Sequence, residues 1–322
     1  MADFQLLRYD ASMKEDWDDF IGVSKNGTFL FRRDYMDYHS DRFHDHSLVF
    51  LSKSAIVAVL PASSSGNVFS SHAGLTYGGL VMARSITAVD VIDIFRLIIS
   101  YLSENRFSSF IYKAVPHIYH QIPAEEDLYA LFRYNASLTA RGISSAILQR
   151  DRLKFRNIRR YGIKKARKNG VYVSKTSDFS DFWDILEANL YDRHGLSPVH
   201  SLQEISLLAS RFPDEIALYV AKIEEETLAG VVIYKTKTVA HSQYISASPK
   251  GRYLGALDFL FDHLIHDVYS DSLFFDFGIS TEGDGHFLNE SLLYQKEGFG
   301  GRAVCYDRYE IKVPLHIEPG AL

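Results

Sequence analysis

One order of structural elements runs through this chain twice, and a duplication of that kind admits few folds. Read by apolar periodicity and by Gly, Pro and Asn breakers, the first half predicts strands over 5–9, 47–51, 55–61, 68–77, 109–113 and 138–148. Helices are predicted over 14–22, 32–39, 88–104 and 125–135. The second half predicts strands over 171–175, 217–223, 227–234, 238–247, 273–277 and 303–311, with helices over 177–193, 201–212, 254–268 and 286–297. Both halves read β-α-α-β-β-β-α-β-α-β. Strands interleaved with helices in this way indicate an α/β protein, a mixed sheet with helices packed on it. The halves share no evident residue identity, so the repetition lies in the order alone. No low-complexity linker divides them, and the expected domains are 1–149 and 150–322, closely packed.

The second domain is entered through the most unusual stretch of the chain. Residues 150–170, RDRLKFRNIRRYGIKKARKNG, hold ten Lys or Arg against one acid, Asp151. The chain has 35 basic residues, so more than a quarter of them sit in this segment. Leu153, Ile158 and Ile163 give it a thin apolar stripe, and Asn169-Gly170 is a helix stop. Like charges one turn apart destabilise a helix. A run this one-sided therefore predicts a surface for phosphates, whether of a nucleotide-linked substrate, a lipid pyrophosphate or RNA. The plainer alternative is a solvated helix joining two domains. Arg159 and Lys164 are its expected substrate contacts.

Composition narrows the rest. With a net charge of −5 the chain is not a uniformly basic nucleic-acid binder. At 47% hydrophobic and 23% charged it is neither disordered nor a low-complexity scaffold. Phe and Tyr number 22 and 20, so aromatic rings are expected to dominate the cores and any pocket. Cys305 is the single cysteine, which excludes an intrachain disulfide, argues against a cysteine zinc site and fits a reducing compartment. The opening MADFQLLRYD has no apolar signal region. Apolar runs such as 55–60 and 228–234 fall far short of the ~18 residues that span a bilayer. The expected location is cytoplasmic, with any membrane pathway served from the inner face.

Three stretches together resemble a known family. NIRRYGIKKARKNGV, residues 157–171, is similar to the N-x-R-x-x-I-x-K-A-x-K-x-G-V entry into the second domain of FemAB-type proteins, the tandem branch of the GNAT acyltransferases. YDRHGLSPVHSL, residues 191–202, is similar to that branch's R-x-G-x-x-P connection between helices. DFGISTEGDGHFLNESLLYQKEGFG, residues 276–300, resembles its ending, D-x-G…L-N-x-x-L-x-x-F-K-x-x-F-G. Two positions depart from the pattern. Gln295 stands where an aromatic residue usually precedes the family lysine. Arg252-Tyr253-Leu254-Gly255-Ala256-Leu257 begins like the acetyl-CoA turn R/Q-x-x-G-x-G/A but ends in Leu257. The resemblance covers nearly the whole chain and implies two tandem GNAT-like domains joined by a basic helix. It implies acyl or aminoacyl transfer to an amine, with acetyl-CoA or another acyl-CoA as donor, or alternatively aminoacyl-tRNA. The implied acceptor is an amino group of a cell-envelope or polysaccharide precursor, such as a nucleotide- or lipid-linked amino sugar. A non-catalytic GNAT-fold binding or assembly protein is the third reading.

Transfer to an amine needs a neutral nucleophile and stabilisation of the oxyanion and of any phosphate. It needs no nucleophilic side chain, and the sequence has no G-x-S-x-G elbow. Lys296, the counterpart of the family lysine, is the first expected catalytic residue; its alternative is a helix-terminal charge meeting the dipole. Glu282 and His286, in the polar loop 280–289, are candidate general bases, and Asn289 a candidate donor to substrate. Gly251, Arg252 and Gly255 lie at a strand-to-helix turn where small residues and a helix start suit a donor's phosphate. In SHAGLTYGGL, residues 71–80, His72 and Tyr77 are candidate acceptor contacts, and the glycines permit close backbone approach. Arg193 and His194 are candidate contacts to an anionic substrate. No metal ligation is expected, because no spacing matches a ligand set. Neither the oligomeric state nor the acceptor's identity follows from the sequence.

Overall fold

The structure, a computed structural model, describes residues 4–314 apart from the side chains of Arg193 and His194. Neither compact unit formed by the chain is a continuous stretch. One comprises Met1–Gly142, Thr281–Phe287 and Cys305–Leu322; the other comprises Ile143–Ser280 and Leu288–Val304. The expected linear division at 149/150 is therefore not the division by contact.

In the first unit an antiparallel sheet runs in the order Phe4–Arg8, Leu48–Ser52, Ala55–Leu60, Val81–Met82. A second set pairs Arg308–Lys312 with Ser109–Lys113, then Val68–Ser70, Ser63–Ser65 and His44–Asp45. The helix Ala88–Glu104 starts at a capping box in which Thr87 and Asp90 exchange side-chain bonds with each other's backbone N–H. Its buried Val91, Ile94, Phe95, Ile98 and Leu102 follow the 3.6-residue period and pack with Phe50, Leu60, Phe110 and Tyr112. The strand expected over 68–77 stops at Ser70. His72 takes φ +49°, and a Cβ at Gly78 would lie 2.0 Å from Ser71 O. The Lys113 ammonium donates to Ala73 O at 3.0 Å and also to Leu75 O, which fixes the segment as a loop.

In the second unit the sheet order is Tyr172–Thr176, Ile216–Ile223, Glu226–Lys235, Val239–Ala247, Phe274–Ile279, and then Ser144–Leu148. All pairings are antiparallel except that of Val239–His241 with Phe274–Asp276, which is parallel. Ala229, Val231 and Ile233 face the core with Phe261, Phe275, Phe277 and Phe299. Alternation turns Gly230 to the other face, where a Cβ would strike the ring of Phe182 from the helix Ser180–His194. The sequence assigned 138–148 to the first domain and 303–311 to the second. Their pairings instead complete the opposite unit: Ser144–Leu148 joins Phe274–Ile279, and Arg308–Lys312 joins Ser109–Lys113.

The basic segment forms the helix Asn157–Lys168, shorter than the stretch that suggested it. Its buried Gly162, Ile163 and Ala166 pack on the helix Ala256–His263. The single helix expected over 254–268 is broken: Pro249–Leu254 ends at Gly255, whose φ is +75°, and Ala256–His263 follows. A Cβ at Gly255 would stand 2.5 Å from Gly162 O. Gly255→Ala combines left-handed strain with a backbone clash and is expected to lower stability by about 1–3 kcal/mol. A urea titration reads this as a lower midpoint at unchanged slope.

Candidate active site

The second unit opens where two parallel strands part. Val239–Ala247 and Phe274–Ile279 pair only at Val239–Phe274, Ala240–Phe275 and His241–Asp276. Beyond that point residues 242–247 have no neighbour on the side of Phe274–Ile279, and a cavity of about 220 Å³ lies within this unit. Leu257, Phe261, Phe277 and Phe299 give it an apolar wall; Asn189, Ser246, Arg252, Gln295 and Lys296 supply polar groups.

Lys296 lies in the last turn of the helix Glu290–Gly298 and is only 4% exposed. Its ammonium donates to Gly278 O at 2.8 Å and to Ile279 O at 2.7 Å, capping the strand end that the divergence leaves open. An ammonium has three donors, so one remains for the cavity it lines. Burial pushes its pKa down to about 8, and the Asp276 carboxylate pulls the other way. At neutral pH it is a cation.

Next to it lies a buried polar cluster. Asp276 has no exposed surface; its Oδ1 accepts from Ser144 Oγ at 2.5 Å, and its Oδ2 pairs with His241 Nδ1 at 2.8 Å. The sequence reading passed over His241. The signal was present: His241 and Asp276 each occupy the third position of their strand, the offset at which parallel neighbours face each other. Ser242 Oγ and Ser280 Oγ are also buried without a hydrogen-bond partner, although buried polar atoms are normally bonded.

The residues expected from sequence divide. Lys296 and Arg252 line the cavity. Arg252 Nη1 donates to Asn189 Oδ1 at 3.0 Å and Ala247 O at 2.6 Å, and Asn189 Nδ2 donates to Ser246 Oγ at 2.7 Å. Gly251 and Gly255 serve backbone packing: a Cβ at Gly251 would lie 2.0 Å from Leu228 O. Asn289 caps the Lys296 helix, its Oδ1 accepting from Leu292 N at 3.1 Å. Glu282 and His286 are exposed, lie in the segment that belongs to the first unit, and do not line the cavity. His72 and Tyr77 are each 2% exposed inside the first unit. His72 stacks on His39, and burial holds its pKa at about 3, so it is neutral near pH 7. Tyr77 donates to Thr28 Oγ1 at 3.2 Å. The side chains of Arg193 and His194 lie outside the described residues. Among the described residues no group of three or more His, Cys, Asp or Glu is placed to hold a metal.

The basic helix also divides. Arg159 pairs with Asp258 at 2.7 Å and lies over the ring of Phe299. Arg156, just before the helix, pairs with Glu297 at 3.4 Å and lies over Tyr294. Lys154, Arg160, Lys164 and Arg167 form no ion pair among the described residues; with Arg152 they border an open groove of about 590 Å³. The acid there, Asp262, is engaged with His266 at 3.0 Å.

Residues 153–287 match the acetyltransferase (GNAT) domain family. The matched residues include the diverging strands. The whole chain has the FemAB-like fold: it aligns with the crystal structure of FemX at a TM-score of 0.68 and 9% identity, covering 97% of this chain and 98% of that one. It aligns with the C-terminal domain of a putative lysylphosphatidylglycerol synthetase from Agrobacterium fabrum at a TM-score of 0.60 and 13% identity, covering 93% and 91% of the two chains. L-PGS from Bacillus licheniformis gives a TM-score of 0.60 at 12% identity, covering 92% and 90%. At these identities the likeness is one of fold. No curated protein matches the sequence. No described helix is long and apolar enough to cross a membrane.

A step that needs the Lys296 charge should fail as pH rises through about 8, where the ammonium loses its proton. Lys296→Arg, which stays charged, is expected to move that fall to higher pH in a pH–rate profile.

Proposed function

We propose that this chain transfers an acyl group from an acyl-CoA thioester to an amine on a phosphate-bearing cell-envelope precursor, such as a nucleotide- or lipid-linked amino sugar. The observation that carries the reading is the cavity at the strand divergence with Lys296 buried in its wall. Residues 242–247 lack a neighbouring strand on that side, so an extended donor arm bearing amides can pair with them as a strand would. The third N–H of Lys296 then meets the oxygen on which negative charge develops, and it is already held by two carbonyls before the substrate arrives. The unpaired cations of the groove attract the phosphates of the acceptor.

A second reading keeps the reaction and changes the donor to aminoacyl-tRNA. It is favoured by the same groove, since four cations without acidic partners suit a polyanion better than a single phosphate. The fold shared with FemX and with lysylphosphatidylglycerol synthetases agrees with both readings.

Calorimetric titration with acetyl-CoA tests the first reading. We expect saturable binding that survives moderate salt, and Lys296→Gln to reduce transfer at least tenfold while the fold, read by circular dichroism, is kept. Absence of acetyl-CoA binding removes the thioester donor. Titration with a short single-stranded RNA tests the second. The double variant Arg160→Ala, Lys164→Ala should lower its affinity and flatten the logarithmic salt dependence by roughly 0.7 for each phosphate no longer neutralised. An unchanged salt slope removes RNA from the groove.

A further inference from the structure

The Asp276–His241 pair is the feature of the second unit that packing alone explains least. Strand alternation places Phe275 and Phe277 in the aromatic core and turns Asp276 to the opposite face of the sheet. A carboxylate with no exposed surface is costly unless its oxygens are bonded. Here both are, by Ser144 and by His241. A carboxylate on Nδ1 fixes the imidazole tautomer with the proton on that nitrogen, leaving the lone pair on Nε2. His241 Nε2 has no partner among the described residues, and the side chain keeps 11% of its surface exposed. The pair is the last one before the strands part; His241 does not itself line the cavity, and its ring lies against Gly278 at the point of divergence.

The ring and the Lys296 ammonium both approach Gly278. A Cβ at Gly278 would lie 3.3 Å from His241 Cε1, and Gly278 O accepts from Lys296. Gly278 has φ +76°, a conformation suited to glycine, and with no side chain it lets the ring lie close to its backbone. The carboxylate bonded to the imidazole is Asp276 on the adjacent strand, and Lys296 on the last helix binds the carbonyl of Gly278, the residue against which the ring lies.

We infer that His241, oriented by Asp276, is the base that takes the proton from the attacking amine; the inference rests on the transfer reading above. The neutral amine nitrogen forms a bond to the acyl carbon, and its proton passes to Nε2. The electron pair displaced onto the carbonyl oxygen returns to break the bond between carbon and the leaving sulfur, or oxygen for an ester donor. The imidazolium, stabilised by Asp276, gives its proton to the leaving group or to water. Ser144 is a positioning residue, acting on the carboxylate alone.

The test uses the full chain with acetyl-CoA and with aminoacyl-tRNA as donors, and a nucleotide-linked amino sugar as acceptor. His241→Gln is expected to lower kcat by about 10²–10⁴-fold and to leave the donor KM within about threefold. Asp276→Asn, which keeps the shape, should reduce kcat and move the ring proton off Nδ1, read by ¹⁵N resonances of the histidine ring in the unliganded protein. A kcat within threefold of the parent in His241→Gln overturns the assignment and leaves the transfer reading standing. A ring protonated on Nε2 in the unchanged protein overturns it independently of any assay. A parent chain that transfers nothing from either donor removes the reading, and the assigned base with it.

Discussion

A buried ammonium resting on two carbonyls ties the last helix to the end of a strand where the second unit opens. Once the parallel strands part after His241 and Asp276, the carbonyls of Gly278 and Ile279 lie at the opened end of a strand, and Lys296 binds both. The contact does two things at once. It satisfies backbone acceptors at the divergence and leaves a cation in the wall of the cavity. Replacing a partner in such a contact strands buried polar groups, which costs more than the contact gains when made.

The basic segment supports that contact from behind. Arg156 and Arg159 spend their charge on Glu297 and Asp258 and lay their guanidinium planes over Tyr294 and Phe299. Tyr294 and Glu297 belong to the helix that carries Lys296, and Phe299 follows it directly. Arg159 therefore serves as a brace although the sequence marked it for substrate, whereas Lys164 remains open to a ligand. A count of charges cannot separate these roles, because the acids that consume two of the ten cations lie about a hundred residues or more along the chain.

What was legible in the sequence was local. Helix and strand periods are written within one turn or one pleat, so the element order and most boundaries could be read; Lys296 and Arg252, singled out from the sequence, line one cavity. The misses share a cause: each depends on a partner distant in sequence. The loop at 71–80 is set by Lys113, the break at Gly255 by Gly162, and the dyad at His241 by a strand more than thirty residues later. Gly251 and Gly255 looked like room for a ligand and proved to be room for other backbone. The two departures from the family pattern, Gln295 and Leu257, both line the cavity, so the chain differs from that pattern where a ligand's shape would be read.

The exchange of final strands bears on how the chain is made. Ser109–Lys113 pairs with Arg308–Lys312, a partner about two hundred residues later. During synthesis the first unit must wait with that strand edge open until residues 308–312 have emerged, by which time the second unit already has every strand of its sheet. Long-range pairing of this kind is slow and leaves an unpaired edge exposed in the interval. The sheet of the first unit is thus completed by a strand that follows every strand of the second, and a nascent chain halted before residue 308 would present the edge of Ser109–Lys113 to whatever strand it met.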